Sequence, residues 1–156
     1  MDIPFFNYKQ AYLQDREDLI KIFDDVGKRG AFIKQSDLFE FEEALATYTK
    51  SKYAIGVANA TDGLELSLMA IGIKKGEEVI CCSHTMLATA SAIHTAGGVP
   101  VPVELGYDNL IDAESIENAI NSRTVGIMPT HLNGRTCNME RIIAIAEKYG
   151  LFIVED

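Results

Sequence analysis

Long apolar runs, cysteines at metal-ligand spacing and a basic surface are all missing from this chain of 156 residues, and each gap removes a class of function. No apolar stretch approaches the roughly 20 residues needed to cross a bilayer. Residues 1–10 lack the basic-then-apolar layout of a secretory leader, so the sequence reads as cytoplasmic with no membrane partner. Fourteen Lys and Arg face 23 Asp and Glu, for a formal charge of −9. Neutralising a phosphate backbone requires a basic face, so a nucleic-acid partner is not expected. Cys81, Cys82 and Cys137 match no zinc spacing, and the neighbours Cys81 and Cys82 are poorly placed to bridge each other, which leaves reduced structural thiols and no metal. Neither a Walker loop nor a dinucleotide glycine pattern occurs, and no Ser/His/Asp nucleophile arrangement emerges.

What is present is a composition of 47% hydrophobic and 24% charged residues, close to the globular average and sufficient for a sizeable core. Up to residue 50 the apolar positions recur at helical spacing: Leu19, Phe23 and Val26, then Leu38, Phe41, Leu45 and Tyr48. This predicts two amphipathic helices joined through residues 30–36. From residue 53 onward the pattern changes to five short apolar runs, at 53–58, 78–82, 99–104, 124–129 and 151–155. Nearly continuous apolar runs are what strands covered on both faces require. Helical segments separate them at 62–71, 85–95, 112–121 and 138–148, the last two with Asp112 and Asn138 as caps. Met139, Ile142, Ile143 and Ala146 form the expected apolar stripe of the last. Regular alternation of strand and helix predicts a three-layer α/β/α sandwich with a mainly parallel sheet.

Open parallel sheets bind ligands beyond the carboxyl ends of their strands, which directs attention to the residues just after each run. Asn59-Ala60-Thr61-Asp62-Gly63 leads directly into a helix whose free amides suit a phosphate. The plain alternative is that Thr61 or Asp62 caps that helix. Asp156 ends an apolar run, and a carboxylate at the rim of a buried strand needs a partner. A protonated ring nitrogen would serve, as would an arginine or a helix start. His84 and His131 also fall at strand ends, where a hydrogen-bonded rim residue is the simpler account.

Taken in order, these segments resemble the DegT/StrS group of nucleotide-sugar aminotransferases, which depend on pyridoxal 5'-phosphate. The pieces that carry the resemblance are Ile3-Pro4-Phe5, Phe39-Glu40-Phe41-Glu42-Glu43, Thr61-Asp62-Gly63-Leu64 and Gly76-Glu77-Glu78-Val79-Ile80. They continue with His84-Thr85 and Ala88-Thr89-Ala90, Pro129-Thr130-His131-Leu132-Asn133-Gly134, and Val154-Glu155-Asp156. The resemblance implies the front part of a fold type I transferase large domain over residues 51–156, preceded by a helical segment over 1–50. It implies that Ala60, Thr61 and Asp62 hold the cofactor phosphate, that Met86 lies against the cofactor ring, and that Asp156 pairs with the pyridine nitrogen. It also implies a nucleotide-linked keto-sugar as acceptor, an amino-acid donor such as glutamate, and a homodimer. The chain departs from the family pattern where Met86 replaces an aromatic residue and Ala60 replaces a glycine.

The family's Schiff-base lysine follows the aspartate, beyond residue 156. Lys50, Lys52, Lys74, Lys75 and Lys148 all precede strands, at the opposite edge from Asp156. These 156 residues alone are therefore expected to be inactive, with no catalytic residue among them. Three other readings stay open: a sugar dehydratase relative in which histidine replaces the lysine, a degenerate relative that serves as a binding or regulatory module, and an unrelated nucleotide-binding α/β domain.

Overall fold

The computed structural model describes residues 4–156, and the expectation for Ile3 lies outside them. The chain divides into two compact units, one ending at Gly56 and the other spanning Val57–Asp156.

In the first unit, α1 (Tyr8–Arg29) is capped by the Asn7 side chain, which accepts from the Gln10 N–H at 3.2 Å. It ends where Gly30 takes a left-handed conformation at φ 63°, as C-terminal caps commonly do. Arg29 forks onto Asp37 at 3.0 and 3.1 Å and also bonds Asp25 at 2.9 Å. Those charge-assisted bonds hold the guanidinium pKa above its ordinary value and the Asp37 carboxyl below its own. Helix α2 (Ser36–Thr49) carries the Glu-rich motif, and Glu42 Oε1 accepts the backbone N–H of Gly56 at 2.7 Å. Both expected helices form, but neither buries a residue; Phe23 and Tyr48 of the two stripes stand open.

Residues 53–58 are not a strand, contrary to the pattern. A strand exists only where a neighbour completes its ladder, and among the described residues none pairs with this segment. Tyr53 and Ile55 are exposed, so the apolar content that suggests a two-face strand has nothing to bury against.

The second unit is a parallel sheet in the order β2-β1-β3-β4, built from β1 (Glu78–Cys82), β2 (Val99–Val103), β3 (Thr124–Met128) and β4 (Phe152–Ile153). Alternate residues of the strands feed two separate cores. Val79, Cys81 and Met128 meet α3 (Ala60–Ile71) and α4 (Leu87–Thr95) through Leu64, Leu68, Ala92 and Ile93. Ile80, Cys82, Val103 and Ile127 meet α5 (Ala113–Ala119) and α6 (Met139–Tyr149) through Ile116, Ile142, Ile145 and Ala146. Helices thus cover both faces, giving the three layers that continuous apolar strands require. One detail of α6 differs from expectation. Ile145 is buried and Ile143 is 44% exposed, because steps of three and four from Ile142 select positions 145 and 146 for the inner face.

All three thiols are free and buried. Burial pushes Cys81 up to about 11, and it also raises Cys82 and Cys137. The folded chain should therefore resist iodoacetamide at neutral pH and react at all three sites once denatured, as counted by mass spectrometry. Because the folded pKa of Cys81 is raised, its contribution to stability is present below its ordinary value of 9.0 and drains away as pH climbs toward 11. Rapid labelling of Cys81 in the native state would contradict this burial.

Candidate active site

The sheet itself sets the location. From β1 the chain moves outward to β2 through α4 on one face, then crosses back through α5 on the other face to place β3 on the far side of β1. Strand order therefore reverses between β1 and β3, and such a switch point opens a crevice at the carboxyl ends of the strands. Thr85 follows β1 and Thr130 follows β3, and their hydroxyls meet across this crevice at 3.2 Å.

Asp156 closes the cluster. The ladder begun by β4 continues past Ile153: Val154 N–H donates to Ile127 O at 3.1 Å, Asp156 N–H to Pro129 O at 2.9 Å, and His131 N–H to Asp156 O at 2.7 Å. These bonds fix the backbone of Asp156 against the end of β3. Its carboxylate Oδ2 accepts from Thr89 Oγ1 at 2.6 Å and from Thr130 Oγ1 at 3.2 Å, and Thr85 and Thr89 share a hydrogen bond of 2.9 Å. Among the described residues no donor reaches Oδ1.

Glu155 turns to His131, whose Nε2 lies 2.8 Å from Glu155 Oε2. The backbone N–H of Cys137 donates to His131 Nδ1 at 3.1 Å. An accepting Nδ1 assigns the ring proton to Nε2, so the imidazole donates to Glu155. This is the hydrogen-bonded rim role expected for His131; His84 is exposed.

The first turn of α3 carries Ala60, Thr61 and Asp62. The cap is Asn59, not Thr61 or Asp62: its Oδ1 accepts the Asp62 N–H at 2.9 Å while its Nδ2 donates to Asp62 Oδ2 at 3.1 Å. The helix accordingly starts two residues before the expected position 62. The backbone N–H groups of Ala60 and Thr61 and the Thr61 hydroxyl find no acceptor among the described residues. Helix α3 returns to the start of β1 through a short link, and twelve residues of helix, about 18 Å, match the length of that strand. Its first turn therefore stands on the carboxyl rim of the sheet. Met86 stands on the same rim as the residue before α4, 75% exposed.

The structure thus gathers Asp156 with Thr85, Thr89 and Thr130, and it leaves Ala60, Thr61, Asp62 and Met86 on the same edge without a direct bond to the aspartate. The three threonines are residues the sequence does not single out as ligands, although all three lie inside its recognised motifs.

A family model described as the DegT/DnrJ/EryC1/StrS aminotransferase family matches residues 13–156. The chain is 39% identical over 157 residues to the erythromycin biosynthesis sensory transduction protein EryC1 of Saccharopolyspora erythraea, covering 100% of this chain and 43% of that protein. It is 39% identical over 155 residues to the dTDP-3-amino-3,6-dideoxy-alpha-D-galactopyranose transaminase of Aneurinibacillus thermoaerophilus, covering 99% and 43%. The solved structure of S. venezuelae DesV with a ketimine intermediate superposes with a TM-score of 0.95 at 36% identity, over 98% of this chain and 42% of that one. The structure of NtdA from Bacillus subtilis with bound PMP superposes with a TM-score of 0.95 at 33% identity, over 99% and 36%. The chain spans less than half the length of each of these relatives, and its architecture is that of the fold type I transferases. It belongs to the DegT/DnrJ/EryC1/StrS aminotransferase family.

Proposed function

We propose that these residues form the front portion of a pyridoxal-phosphate aminotransferase that moves an amino group from glutamate to a nucleotide-linked keto-sugar. The observation that carries the reading is Asp156, a rim carboxylate with one oxygen engaged by hydroxyls and the other without a protein donor among the described residues. A protonated ring nitrogen is a fitting partner for that second oxygen, and a carboxylate beside it favours the protonated form. The donor set at the start of α3 fits the other end of the same cofactor. Two unengaged amides, the Thr61 hydroxyl and the positive end of a helix suit a phosphate dianion. When bound, pyridoxal phosphate supplies an electron sink for amino transfer.

In this reading Ala60, Thr61 and Asp62 anchor the phosphate and Met86 covers a ring face with a polarizable thioether. Asp156 meets the ring nitrogen. The lysine that carries the cofactor comes from sequence after Asp156, and the protein acts as a cytoplasmic homodimer. The choice of substrates is supported by the names of relatives. One relative from Bacillus subtilis is a 3-oxo-glucose-6-phosphate:glutamate aminotransferase at 34% identity, and one from Pseudomonas aeruginosa is a UDP-2-acetamido-2-deoxy-3-oxo-D-glucuronate aminotransferase at 34%.

The test is a single turnover by the full-length protein loaded with pyridoxal phosphate. Added glutamate is expected to yield one equivalent of 2-oxoglutarate per site as the cofactor passes to its amine form. A yield no greater than that of the cofactor-free protein would overturn the proposal. It would favour the second reading, a regulatory relative, toward which the exposed Met86 and the name of one relative, a pleiotropic regulatory protein at 34% identity, both lean.

A further inference from the structure

Asp156 has its backbone fixed by two ladder bonds, to Pro129 and His131, but those bonds leave its side chain free to turn about the Cα–Cβ and Cβ–Cγ axes. What sets the carboxylate is the hydroxyl cluster, and the geometry points to Thr89 as the positioning residue for Asp156. This inference rests on the proposed role of Asp156 toward the cofactor ring.

Each threonine has one proton to donate. A carboxylate has none to give, so Thr89 and Thr130 both spend theirs on Oδ2. Thr85 then donates to one of these two, from 2.9 Å at Thr89 or 3.2 Å at Thr130. The network therefore runs in one direction, toward the carboxylate, and terminates on a single oxygen. Selecting Oδ2 in this way turns Oδ1 outward as the oxygen that remains for a ligand.

Thr89 dominates this selection for three reasons. Its bond of 2.6 Å is the shorter of the two, in the range of charge-assisted O–H···O⁻ contacts. Its side chain is also fully buried, at 0% exposure, so solvent cannot take the place of a missing hydroxyl. Thr89 lies in the first turn of α4, where the helix dipole reinforces the attraction for the carboxylate. A bond that joins residues 67 positions apart thereby couples the α3/α4 layer to the carboxylate at the rim of the sheet.

The experiment compares Thr89→Val, Thr89→Ser, Asp156→Asn and the pair Thr89→Val/Asp156→Asn in the full-length protein. It reads the dissociation constant of pyridoxal phosphate by equilibrium dialysis, with the melting temperature recorded beside it. Valine keeps the shape and removes the hydroxyl; serine keeps the hydroxyl and removes a methyl group. Thr89→Val is expected to weaken cofactor binding by roughly ten- to a hundredfold, the scale of one hydrogen bond to a charged group. Thr89→Ser should stay within about threefold of the parent. With Asp156→Asn already present, Thr89→Val should add little, because a positioning residue acts through the group it positions.

Binding unchanged by Thr89→Val but weakened by Asp156→Asn would overturn the role of Thr89 alone. Equal losses for valine and serine, or full additivity in the pair, would also overturn it, since either result indicates packing. Binding unchanged by Asp156→Asn would remove the cofactor role of Asp156 and the inference with it. Should Thr89→Val fail to fold, Thr130→Val removes the other donor to Oδ2. It should then weaken binding by a smaller factor, and an unchanged constant would count against the network.

Discussion

Asparagine at position 156 is expected to lower amino transfer by at least about a hundredfold, the usual consequence of removing one preorganised electrostatic partner from a reacting site, with little change in melting temperature. The substitution is nearly isosteric, and the ladder bonds of residue 156 come from its backbone. What changes is the charge. A neutral amide cannot favour a protonated ring nitrogen as a carboxylate does, so residue 156 would no longer support the electron sink that pyridoxal phosphate would supply when bound. The amide also conflicts with its surroundings: if its nitrogen takes the Oδ2 position, it faces two hydroxyls that now have to reverse their donation. Asp156→Glu retains the charge but carries it one methylene farther, off the Thr89 and Thr130 donors, so it should rescue little. Measuring 2-oxoglutarate released per second in the full-length protein decides the matter. Turnover within tenfold of the parent for Asp156→Asn would refute the role.

Much of this arrangement is legible in the sequence. The runs at 78–82, 99–104 and 124–129 stand out because strands covered on both faces must be apolar at successive positions, and the separate cores on the two faces show why. The run at 53–58 has the same composition yet no ladder, since pairing depends on a neighbour that local composition cannot report. Helix α3 begins at Ala60 because the amide side chain of Asn59 caps it, whereas Asp62 looks equally competent in the sequence. Asp156 stands out as a carboxylate at the end of an apolar run, beside Glu155. The threonines around it do not: Thr85 and Thr89 read as ordinary residues of a helix start, and Thr130 as a β-branched residue at a strand end. Only the meeting of three segments at one rim makes them a cluster, and that meeting is a property of the topology.

The same rim depends on a contact in the interior of the sheet, between Gly126 of β3 and Phe152 of β4, which are register partners. The Phe152 ring lies directly over the Gly126 Cα, so that a Cβ built on Gly126 would run into the ring carbons Cδ2, Cε2 and Cζ. Gly126 is buried and the half-buried Phe152 packs against the α3/α4 core, so the ring has to turn away from that core to make room. Gly126→Val is therefore expected to cost about 3 kcal/mol through overpacking, read as a lower midpoint in urea with the m-value unchanged. The effect should extend beyond stability. Only Phe152 and Ile153 of β4 are in register with β3, and the chain runs from them through Val154 and Glu155 straight to Asp156, so a displaced Phe152 ring shifts the segment that presents the carboxylate. Amino transfer should fall in the valine variant even at temperatures where the protein remains folded. Trimming the ring should relieve the clash: Gly126→Val/Phe152→Ala should be less destabilised than the two single changes added together, and it should recover part of the lost activity. Full additivity of the two substitutions, or a valine variant less than about 1 kcal/mol below the parent, under the lower end of the usual overpacking cost, would mean that β4 is seated by its other contacts and that the ring over Gly126 plays no part in holding Asp156 at the rim.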